Sequence, residues 1–514
     1  MGRDAEVREL RCKDGKRRRT ASTVRDPCIG CRIRFGSKQV AMGFLPISEI
    51  TQIVGAENVL TGMEDRYCYG YDASRLQAVP ECVVLPGNVE EVAELLKLAN
   101  RDQFPVFPRG AGSGMVGACI PWRGGLVIGF NRLNRILEID ADNRVAVVEP
   151  AVVNGVLQKA VARHGLFYPP DPASLDFCTI GGNVAMCAGG PRAVKYGVTR
   201  DYVLGLEVVL PTGSIVHTGS RTLKSVVGYD LTRLMVGSEG TLGVFTKIIL
   251  RLIPAPEGVR TLLAIFPCLE GAAHAVSAII KNRVLPATLE LMDQATLQVV
   301  ENHLHLGLPV AAEAVLLIEL DGHERTLDED ADKVLKICRQ EGASAVEMAR
   351  SEAEREQFWR ARRSISPALR QLKSGKINED VVVPPTHIPA LIRTVRALAE
   401  KYALPVVCFG HAGDGNIHVN VMLDRNDASE LMRAEAVVEQ IFRRVLELGG
   451  TLSGEHGIGI AKSPFFQWEV GREGWQAMRS IKQALDPLDI LNPGKMFEVN
   501  RAFFRGNQSI PTRL

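Results

Sequence analysis

Residues 105–121 read PVFPRGAGSGMVGACIP and place four glycines within eight residues, directly after Arg109. A backbone with so few Cβ atoms can adopt positive φ angles repeatedly and turn successive N–H groups inward, which forms a site for an anion such as phosphate. An ordinary glycine-rich surface loop is the alternative. The stretch is not a P-loop, because no Gly-Lys-Ser/Thr follows. It is a poor Rossmann turn, because Pro108 precedes it and no clear amphipathic helix follows.

The chain of 514 residues is too long for one hydrophobic core, so its length predicts two or three domains. A net charge of +2 gives no field that favours nucleic acid as a partner, and no apolar run has the length of a transmembrane segment. Eleven cysteines without a signal peptide suit a reducing cytoplasm. The close pair Cys28 and Cys31 supplies only half of a metal site, and the sequence contains no four-cysteine ferredoxin motif. Any electrons that the protein handles therefore need another cofactor or another subunit.

Sequence patterning divides the chain into four segments. Residues 1–41 contain the basic cluster RCKDGKRRRT without hydrophobic periodicity and are expected to be a disordered extension, with Met42 as an alternative start. Residues 42–256 are predicted to form a first domain of strands, helices and glycine-rich turns. Residues 257–480 alternate strands and helices without such turns, which predicts a second, α+β domain whose antiparallel sheet is covered by helices. Residues 481–514 form a C-terminal segment.

Two further segments of the first domain are unusual in composition. Residues 168–197, YPPDPASLDFCTIGGNVAMCAGGPRAVKYG, are predicted to be a long connection that is rich in proline and glycine yet apolar. Connections of this length inside a compact domain usually carry function. Residues 237–243, GSEGTLG, form a third glycine-rich turn before a predicted strand.

Residues 409–420, FGHAGDGNIHVN, combine two histidines with a tight turn. His418 and Asn420 lie two positions apart in a predicted strand and therefore share a face. A hairpin that folds back at GDG brings His411 beside His418, and two imidazoles on facing strands are the start of a transition-metal site. The alternative is a pair of structural histidines.

Residues 453–459, SGEHGIG, place Glu455 and His456 between glycines that allow close approach to a ligand. The Glu455 carboxylate would complete a His₂Glu metal site with an open position. His456 would then be free to act as a base, because the ordinary pKa of histidine is near neutrality. A capping turn at a helix terminus is the alternative.

A predicted helix over residues 351–372 carries the basic segment WRARRSIS. Arg362 and Ser366 lie one helical turn apart on one face, and Lys376 follows the helix. A guanidinium can bind a substrate carboxylate with two hydrogen bonds, which makes this face a candidate for substrate binding. The alternative is a solvated basic helix.

These motifs follow one another in a specific order. PRGAGSG, PDPAS…TIGGNVAMCAGGPRAVKYG, VGSEGTLGV, FGHAGDGNIHVN, SGEHGIG and LDPLDILNPGKMF lie between about residue 44 and residue 500. In this order they resemble the FAD-dependent D-2-hydroxyacid dehydrogenases, in the branch of the glycolate oxidase FAD subunit and D-lactate dehydrogenase. The resemblance implies the α+β fold of vanillyl-alcohol oxidase and p-cresol methylhydroxylase. In that fold residues 42–256 are a two-subdomain FAD-binding domain, residues 257–480 a cap domain for the substrate, and residues 481–514 return to the FAD-binding domain.

The resemblance implies where FAD binds. The first glycine-rich stretch would hold the pyrophosphate, the other two segments would line the rest of FAD, including the isoalloxazine ring, and Asn492 matches an asparagine near that ring. The implied FAD-binding residues are Arg109, Gly110, Ala111, Gly112, Ser113, Gly114, Pro170, Asp171, Ser174, Thr179, Gly181, Gly182, Asn183, Gly189, Gly190, Tyr196, Gly197, Glu239, Gly240, Gly243, Val244 and Asn492. Some members of the wider fold attach FAD through a histidine. The FAD-loop segments here contain none, so non-covalent FAD is expected.

The resemblance also implies the chemistry. The residues that match ligands of a divalent cation, with zinc, manganese or iron as candidates, are His411, His418 and Glu455. The residues that match binders of a substrate carboxylate are Arg362, Ser366 and Lys376. His456 matches the catalytic base. In the implied reaction the cation and the cationic side chains hold an α-hydroxy acid, His456 removes the hydroxyl proton, and a hydride passes from Cα to N5 of FAD.

The expected substrate is a small D-2-hydroxy acid, with glycolate or D-lactate favoured. Electrons are expected to leave to an iron–sulfur subunit or to a membrane carrier such as a quinone or cytochrome. The expected location is the cytoplasm or the inner face of the membrane, and a homodimer is compatible with the sequence. Two alternatives stay open: a metal-dependent hydrolase that uses the two histidines and Glu455, and a non-catalytic FAD-binding subunit of an oxidase complex.

Overall fold

The first glycine-rich stretch follows an edge strand of a four-stranded sheet. The computed structural model describes residues 45–498, which lie in one compact unit. The predictions for residues 1–41, including their disorder and the Cys28–Cys31 pair, lie outside the described residues, as does the end of the C-terminal segment, residues 499–514.

The sheet beside this stretch is built on a β-α-β unit. Its elements are α1 Ile47–Val54, β1 Val59–Leu60, α2 Met63–Cys68, β2 Cys82–Val84, α3 Val89–Asp102, β3 Val106–Arg109 and β4 Leu126–Gly129. The strand order is β1-β2-β4-β3, and β2 and β3 both run parallel to β4. As the sequence predicts, Asn88 caps α3, because its side chain accepts a hydrogen bond from the Glu91 N–H at 2.8 Å.

The described end of the chain lies against β3. The Val106 N–H donates to the Ile490 carbonyl at 2.8 Å, and the Asn492 N–H donates to the Val106 carbonyl at 2.7 Å. Ile490 and Leu491 are buried in the same hydrophobic core as α3. These contacts place Asn492 next to the first glycine-rich stretch.

A five-stranded antiparallel sheet follows, in the order β5-β6-β10-β8-β9. The elements of this part of the chain are β5 Ile136–Asp140, β6 Val145–Val148, α4 Asn154–Ala162, β7 Leu166–Phe167, α5 Ile180–Met186, α6 Ala193–Tyr196, β8 Val203–Val209, β9 Ile215–Gly219, α7 Leu231–Met235, β10 Val244–Arg251 and β11 Ile253–Pro254. β7 and β11 pair with each other in a separate two-stranded sheet. Residues 168–197, predicted to be a loop, therefore contain two short helices. Helix α5 could not be predicted from helix propensity, because it contains Gly181 and Gly182 and glycine is unfavourable inside a helix.

The rest of the described chain forms a seven-stranded antiparallel sheet in the order β15-β12-β14-β13-β17-β18-β16. Its elements are β12 Gly258–Phe266, α8 Leu269–Lys281, β13 Thr288–Asp293, α9 Gln294–Leu304, β14 Ala314–Gly322, α10 Glu324–Gln340, β15 Ala345–Met348, α11 Glu352–Arg363, α12 Ile365–Leu369, β16 Gly375–Val382, α13 Ile388–Tyr402, β17 Val406–His411, β18 Asn416–Leu423, α14 Ala428–Glu447 and α15 Phe466–Leu485. Helices α8, α10, α13 and α14 share one hydrophobic core with the sheet, while α9, α11 and α12 contribute to a second core.

The helix predicted over residues 351–372 is divided in the structure. It breaks at Ser364 into α11 and α12, because Pro367 has no N–H to donate to the Arg363 carbonyl one turn earlier. Within residues 45–498, none of the helices combines the length and the apolar character that a bilayer span requires.

Candidate active site

A cavity lies where the three glycine-rich segments meet. The predicted cofactor residues that line it are Arg109, Gly110, Ala111, Gly112, Ser113, Gly114, Ser174, Thr179, Gly181, Gly182, Asn183, Glu239, Gly240, Gly243 and Val244. Thr179 Oγ1, a buried polar atom in this wall, has no hydrogen-bond partner among the described residues. Buried polar atoms are normally hydrogen-bonded, so this wall fits a ligand with many polar groups, as FAD has.

The backbone of the first glycine-rich stretch passes close to other groups. A Cβ on Gly110 would lie 2.6 Å from Thr179 Oγ1, and Gly112 has a φ of +69°, where a side chain is strained. The end of the stretch is held by Asp72, whose buried carboxylate accepts a hydrogen bond from the Gly117 N–H at 3.0 Å. Glycine therefore lets the loop fold tightly against the second segment.

Glu239 links the third glycine-rich turn to the segment that carries Glu455 and His456. Its buried carboxylate accepts hydrogen bonds from the backbone N–H groups of Ile458 and Gly459, both at 2.7 Å. Burial raises the pKa of Glu239 to about 6, although these two hydrogen bonds act to lower it. The cavity wall and the SGEHGIG segment are thus joined through one side chain.

Asn492 ties the described end of the chain to the cavity wall. Its Nδ2 donates to the carbonyl oxygens of Ala118 at 2.9 Å and Glu239 at 2.6 Å. The other predicted cofactor residues outside the cavity lining are Pro170, Asp171, Gly189, Gly190, Tyr196 and Gly197. Among them, Tyr196 donates its hydroxyl to Asp321 of the seven-stranded sheet at 2.8 Å, so it holds two parts of the structure together.

The three predicted metal ligands lie in one cluster. β17 ends at His411 and β18 carries His418, and the centroids of the two rings are 5.3 Å apart. Oε1 of Glu455 lies 3.8 Å from Nε2 of His411 and 3.6 Å from Nε2 of His418. One ligand atom from each of the three residues lies within 4.8 Å of the others. Two imidazoles and a carboxylate form a donor set that fits a divalent transition metal with an open position.

Two further observations fit a metal at this cluster. Glu290 of β13 is hydrogen-bonded to Nδ1 of His411, and a carboxylate on the far nitrogen of a ligating histidine fixes the ring and raises its basicity. Although burial acts to raise it, the charges of Arg362 and His411 lower the pKa of Glu290 to about 2. Burial lowers the pKa of His418 to about 3, which favours the neutral imidazole that a metal binds. Although burial acts to lower it, the carboxylates of Glu290 and Glu455 raise the pKa of His411.

His456 meets the cluster from another side. Its Nε2 lies 3.8 Å from Oε1 of Glu455, and its Nδ1 lies 3.2 Å from Oδ1 of Asp380. Its ring stacks on that of His418 with the centroids 5.6 Å apart. Although burial acts to lower it, the Asp380 carboxylate raises the pKa of His456. The predicted base therefore has one nitrogen at a carboxylate and the other at the cluster.

A second cavity lies between this cluster and α11. The predicted substrate residues Arg362 and Ser366 line it, and Lys376 donates to Ser366 Oγ at 3.1 Å. The Arg362 guanidinium lies over the Phe409 ring, 4.8 Å from its centroid. Asp171, predicted to bind the cofactor, lines this second cavity, where burial raises its pKa to about 7.

The two cavities share part of their walls. The residues that line both are Met115, Ala173, Glu455 and His456. A cofactor in the first cavity and a small molecule in the second would therefore meet at Glu455 and His456.

Comparison with known proteins assigns the chain to a family. Residues 255–496 match the family described as FAD linked oxidases, C-terminal domain, and residues 80–219 match the family described as FAD binding domain. The chain is 45% identical over 450 residues to glycolate oxidase subunit GlcD of Bacillus subtilis (strain 168), which covers 87% of this chain and 96% of that protein. The chain belongs to the FAD-linked oxidases.

Other comparisons agree. This FAD-linked oxidase is 36% identical over 456 residues to D-lactate dehydrogenase of Anaerostipes hadrus, which covers 86% of this chain and 95% of that protein. The structure of p-cresol methylhydroxylase with substrate bound has a TM-score of 0.73 at 17% identity and covers 88% of this chain and 96% of that one. Alkyldihydroxyacetonephosphate synthase has a TM-score of 0.68 at 22% identity and covers 87% and 84%.

The predicted family and the predicted α+β fold are thereby confirmed. The protein is an FAD-dependent oxidoreductase, and the hydrolase alternative is not favoured.

Sequence reasoning missed Glu290 and Asp380 of this FAD-linked oxidase. Each is a fully buried acid inside a strand, in TLELMD of β13 and NEDVV of β16. An acid is almost never fully buried without a partner. An acidic residue inside a strand that is otherwise expected to be buried is a signal of a functional or structural partner, but the sequence does not show which residue that partner is.

Proposed function

We propose that this FAD-linked oxidase oxidises a small D-2-hydroxy acid, glycolate or D-lactate, to the 2-oxo acid. The observation that carries the proposal is the shared wall of the two cavities, in which Glu455 and His456 face both the FAD cavity and the cavity lined by Arg362. The names of the relatives, glycolate oxidase subunit and D-lactate dehydrogenase, supply the substrate class.

Arg362, Ser366 and Lys376 would bind the substrate carboxylate. Nε of Arg362 donates to Glu290 at 2.6 Å, which leaves the terminal N–H groups of the guanidinium for a substrate. Burial, followed by the charges of two neighbouring arginines, lowers the pKa of Lys376 to about 8. Below that pH its ammonium group adds a second positive charge near Ser366.

His411, His418 and Glu455 would hold a divalent cation, either zinc, manganese or iron. The cation would lower the pKa of the substrate hydroxyl. His456 would accept the hydroxyl proton on Nε2, the nitrogen that faces the cluster. FAD, when bound, supplies the acceptor for the hydrogen and the electron pair of the Cα–H bond. The Cα–H bond breaks as the C=O bond of the 2-oxo acid forms, so the substrate loses two electrons and two protons in all.

The electrons would then pass to an acceptor outside the chain, an iron–sulfur subunit or a membrane carrier. The relative that is named as a subunit of glycolate oxidase supports a protein partner. A location in the cytoplasm or at the inner face of the membrane, and a homodimer, remain part of this proposal.

Anaerobic titration of the flavin absorbance at about 450 nm with D- and L-2-hydroxy acids tests the function. Glycolate and D-lactate are expected to bleach the flavin. Bleaching by L-acids alone would refute the proposal, and a flavin that no 2-hydroxy acid bleaches would favour a non-catalytic FAD subunit.

A further inference from the structure

The SGEHGIG segment folds around the carboxylate of Asp380. Oδ2 of Asp380 accepts hydrogen bonds from three consecutive backbone N–H groups, those of Gly454 at 2.9 Å, Glu455 at 2.7 Å and His456 at 2.9 Å. Ser453 also donates its hydroxyl, at 3.2 Å, to Oδ1. The side chain of Asp380 is fully buried. Its carboxylate occupies the anion site formed by these backbone N–H groups, in the segment that carries the predicted metal ligand Glu455 and the predicted base His456.

The other side of this carboxylate is paired with a buried cation. Lys462 donates its ammonium group to Oδ1 of Asp380 and, at 2.8 Å, to the carbonyl of Leu452. A lysine keeps a buried carboxylate ionised, and an ionised carboxylate can only accept hydrogen bonds. Nδ1 of His456 lies 3.2 Å from Oδ1 of Asp380. This nitrogen must therefore carry the proton if the imidazole and the carboxylate are to interact favourably.

The second nitrogen of the ring then has a free lone pair. In a neutral imidazole one nitrogen carries hydrogen and the other accepts, so protonation at Nδ1 leaves Nε2 as the acceptor. Nε2 of His456 lies 3.8 Å from Oε1 of Glu455, at the junction of the two cavities.

We propose that Asp380 is a positioning residue that fixes the tautomer and the orientation of His456, so that Nε2 is the basic nitrogen. The hydrogen bond from Lys462 to Oδ1 and those from the backbone N–H groups to Oδ2 hold the Asp380 carboxylate in place. The inference rests on the proposed function, because it concerns how His456 is prepared to accept the substrate proton.

The chain provides a matched control beside Asp380. Glu379 precedes it in β16, is also buried, and lies 3.5 Å from the Lys462 ammonium group. Neighbouring residues of a strand point to opposite faces, and it is Asp380 that accepts the N–H groups of the SGEHGIG segment. Glu379→Gln thus changes a buried carboxylate beside the same lysine. In the described part of the chain this carboxylate makes no hydrogen bond or ion pair with His456, although the two side chains interact electrostatically.

The first experiment compares rates of flavin reduction in FAD-loaded protein mixed anaerobically with whichever of glycolate or D-lactate reduces it. Asp380→Asn and His456→Gln are each expected to slow flavin reduction by about 10²–10⁴-fold, the range of general base catalysis, while the substrate Kd changes less than about threefold. In the double variant Asp380→Asn/His456→Gln the rate is expected to equal that of His456→Gln alone. Glu379→Gln is expected to stay within about threefold of wild type.

Other results would distinguish a failure of the positioning role of Asp380 from a failure of the proposed function. Losses that multiply in the double variant, or an Asp380→Asn effect confined to the substrate Kd, would overturn the positioning role while His456 stays the base. A His456→Gln variant that reduces its flavin at the wild-type rate would instead overturn the proposed function.

A second measurement needs no turnover and no substitution at Asp380. Long-range ¹H–¹⁵N correlation spectra of ¹⁵N-histidine-labelled protein report which ring nitrogen carries hydrogen, and the His456→Gln variant identifies the His456 signals. Hydrogen on Nδ1 is expected in the wild-type protein. Hydrogen on Nε2 alone would overturn the proposal, even if Asp380→Asn failed to fold.

Discussion

Glu290 and His411 face each other across β13 and β17, and the Glu290 carboxylate is hydrogen-bonded to Nδ1 of His411. The same carboxylate accepts a hydrogen bond from Nε of Arg362 at 2.6 Å. One buried acid therefore organises both the predicted metal cluster and the arginine predicted to bind the substrate.

Replacing Glu290 by glutamine is expected to weaken metal binding about 10–100-fold, because the histidine loses the charged acceptor that fixes its ring. The measurement is the metal content of the protein after dialysis against buffers of graded chelator strength. Glu319→Gln is the control, since Glu319 is also a buried acid that pairs with an arginine, Arg355, at 3.1 Å. Wild-type metal affinity in Glu290→Gln would contradict the role of Glu290 in holding the His411 ring.

The metal stoichiometry of two histidine variants separates a ligand from a base. His418→Ala is expected to lose the metal, because it removes one of three protein ligands, whereas His456→Gln is expected to keep about one metal per chain. Removing the metal from wild-type protein with a chelator should stop flavin reduction by the hydroxy acid while FAD stays bound. Loss of metal in His456→Gln would show that this residue is a fourth ligand.

Gly110→Ala is expected to weaken FAD binding. The new Cβ would lie 2.6 Å from Thr179 Oγ1, so the loop or the threonine must shift, at a cost of about 1–3 kcal/mol. The FAD content after gel filtration and the Kd for added FAD report the effect. Gly474→Ala in α15 is the control, since its Cβ would meet only Val470, at an ordinary 3.5 Å. Equal FAD affinity in both variants would rule out the close packing of this loop as a requirement.

The affinity for substrate is expected to fall above pH 8. The pKa of Lys376, which burial lowers to about 8, means that its ammonium group is charged below this pH and neutral above it. A carboxylate is attracted only by the charged form, so the KM should rise severalfold between about pH 8 and pH 9.5. Lys376→Met should have a raised KM at pH 7 and lose this rise, while Lys373→Met, which removes the ion pair with Glu430, should keep the wild-type profile. A KM independent of pH in wild-type protein would exclude Lys376 from substrate binding.

Much of the site was predictable because its motifs are local. The glycine-rich stretches can be recognised from their composition. His411 and His418 lie on the two strands of a single hairpin, so they come together independently of the order of the other strands. Position 455 has no such local constraint. The place of Glu455 at the cluster depends on the fold around Asp380. In the sequence, the only reason to group Glu455 with the two histidines is that a carboxylate would complete a His₂Glu set of metal ligands.

The partners of the buried acids could not be predicted. Glu290 meets His411 only because β13 and β17 are neighbours in a sheet whose strand order differs from the chain order. A shift of the register by one residue would turn the Glu290 side chain to the opposite face. The hydrogen bond from Nε of Arg362 to Glu290 also changes the expected role of Arg362, because only the rest of its guanidinium is left to bind a substrate carboxylate.

The hydrogen bonds from Ile458 and Gly459 to Glu239 connect residues more than two hundred positions apart. A chimaera that takes residues up to 256 from one relative and the remainder from another would inherit the acceptor from one parent and the donors from the other. Gene fusion or recombination at that boundary would thus keep this contact only when the second parent places the same two backbone N–H groups beside Glu239. Residues up to 256 and the rest of the chain are thus coupled at this contact, even though each part has its own hydrophobic core.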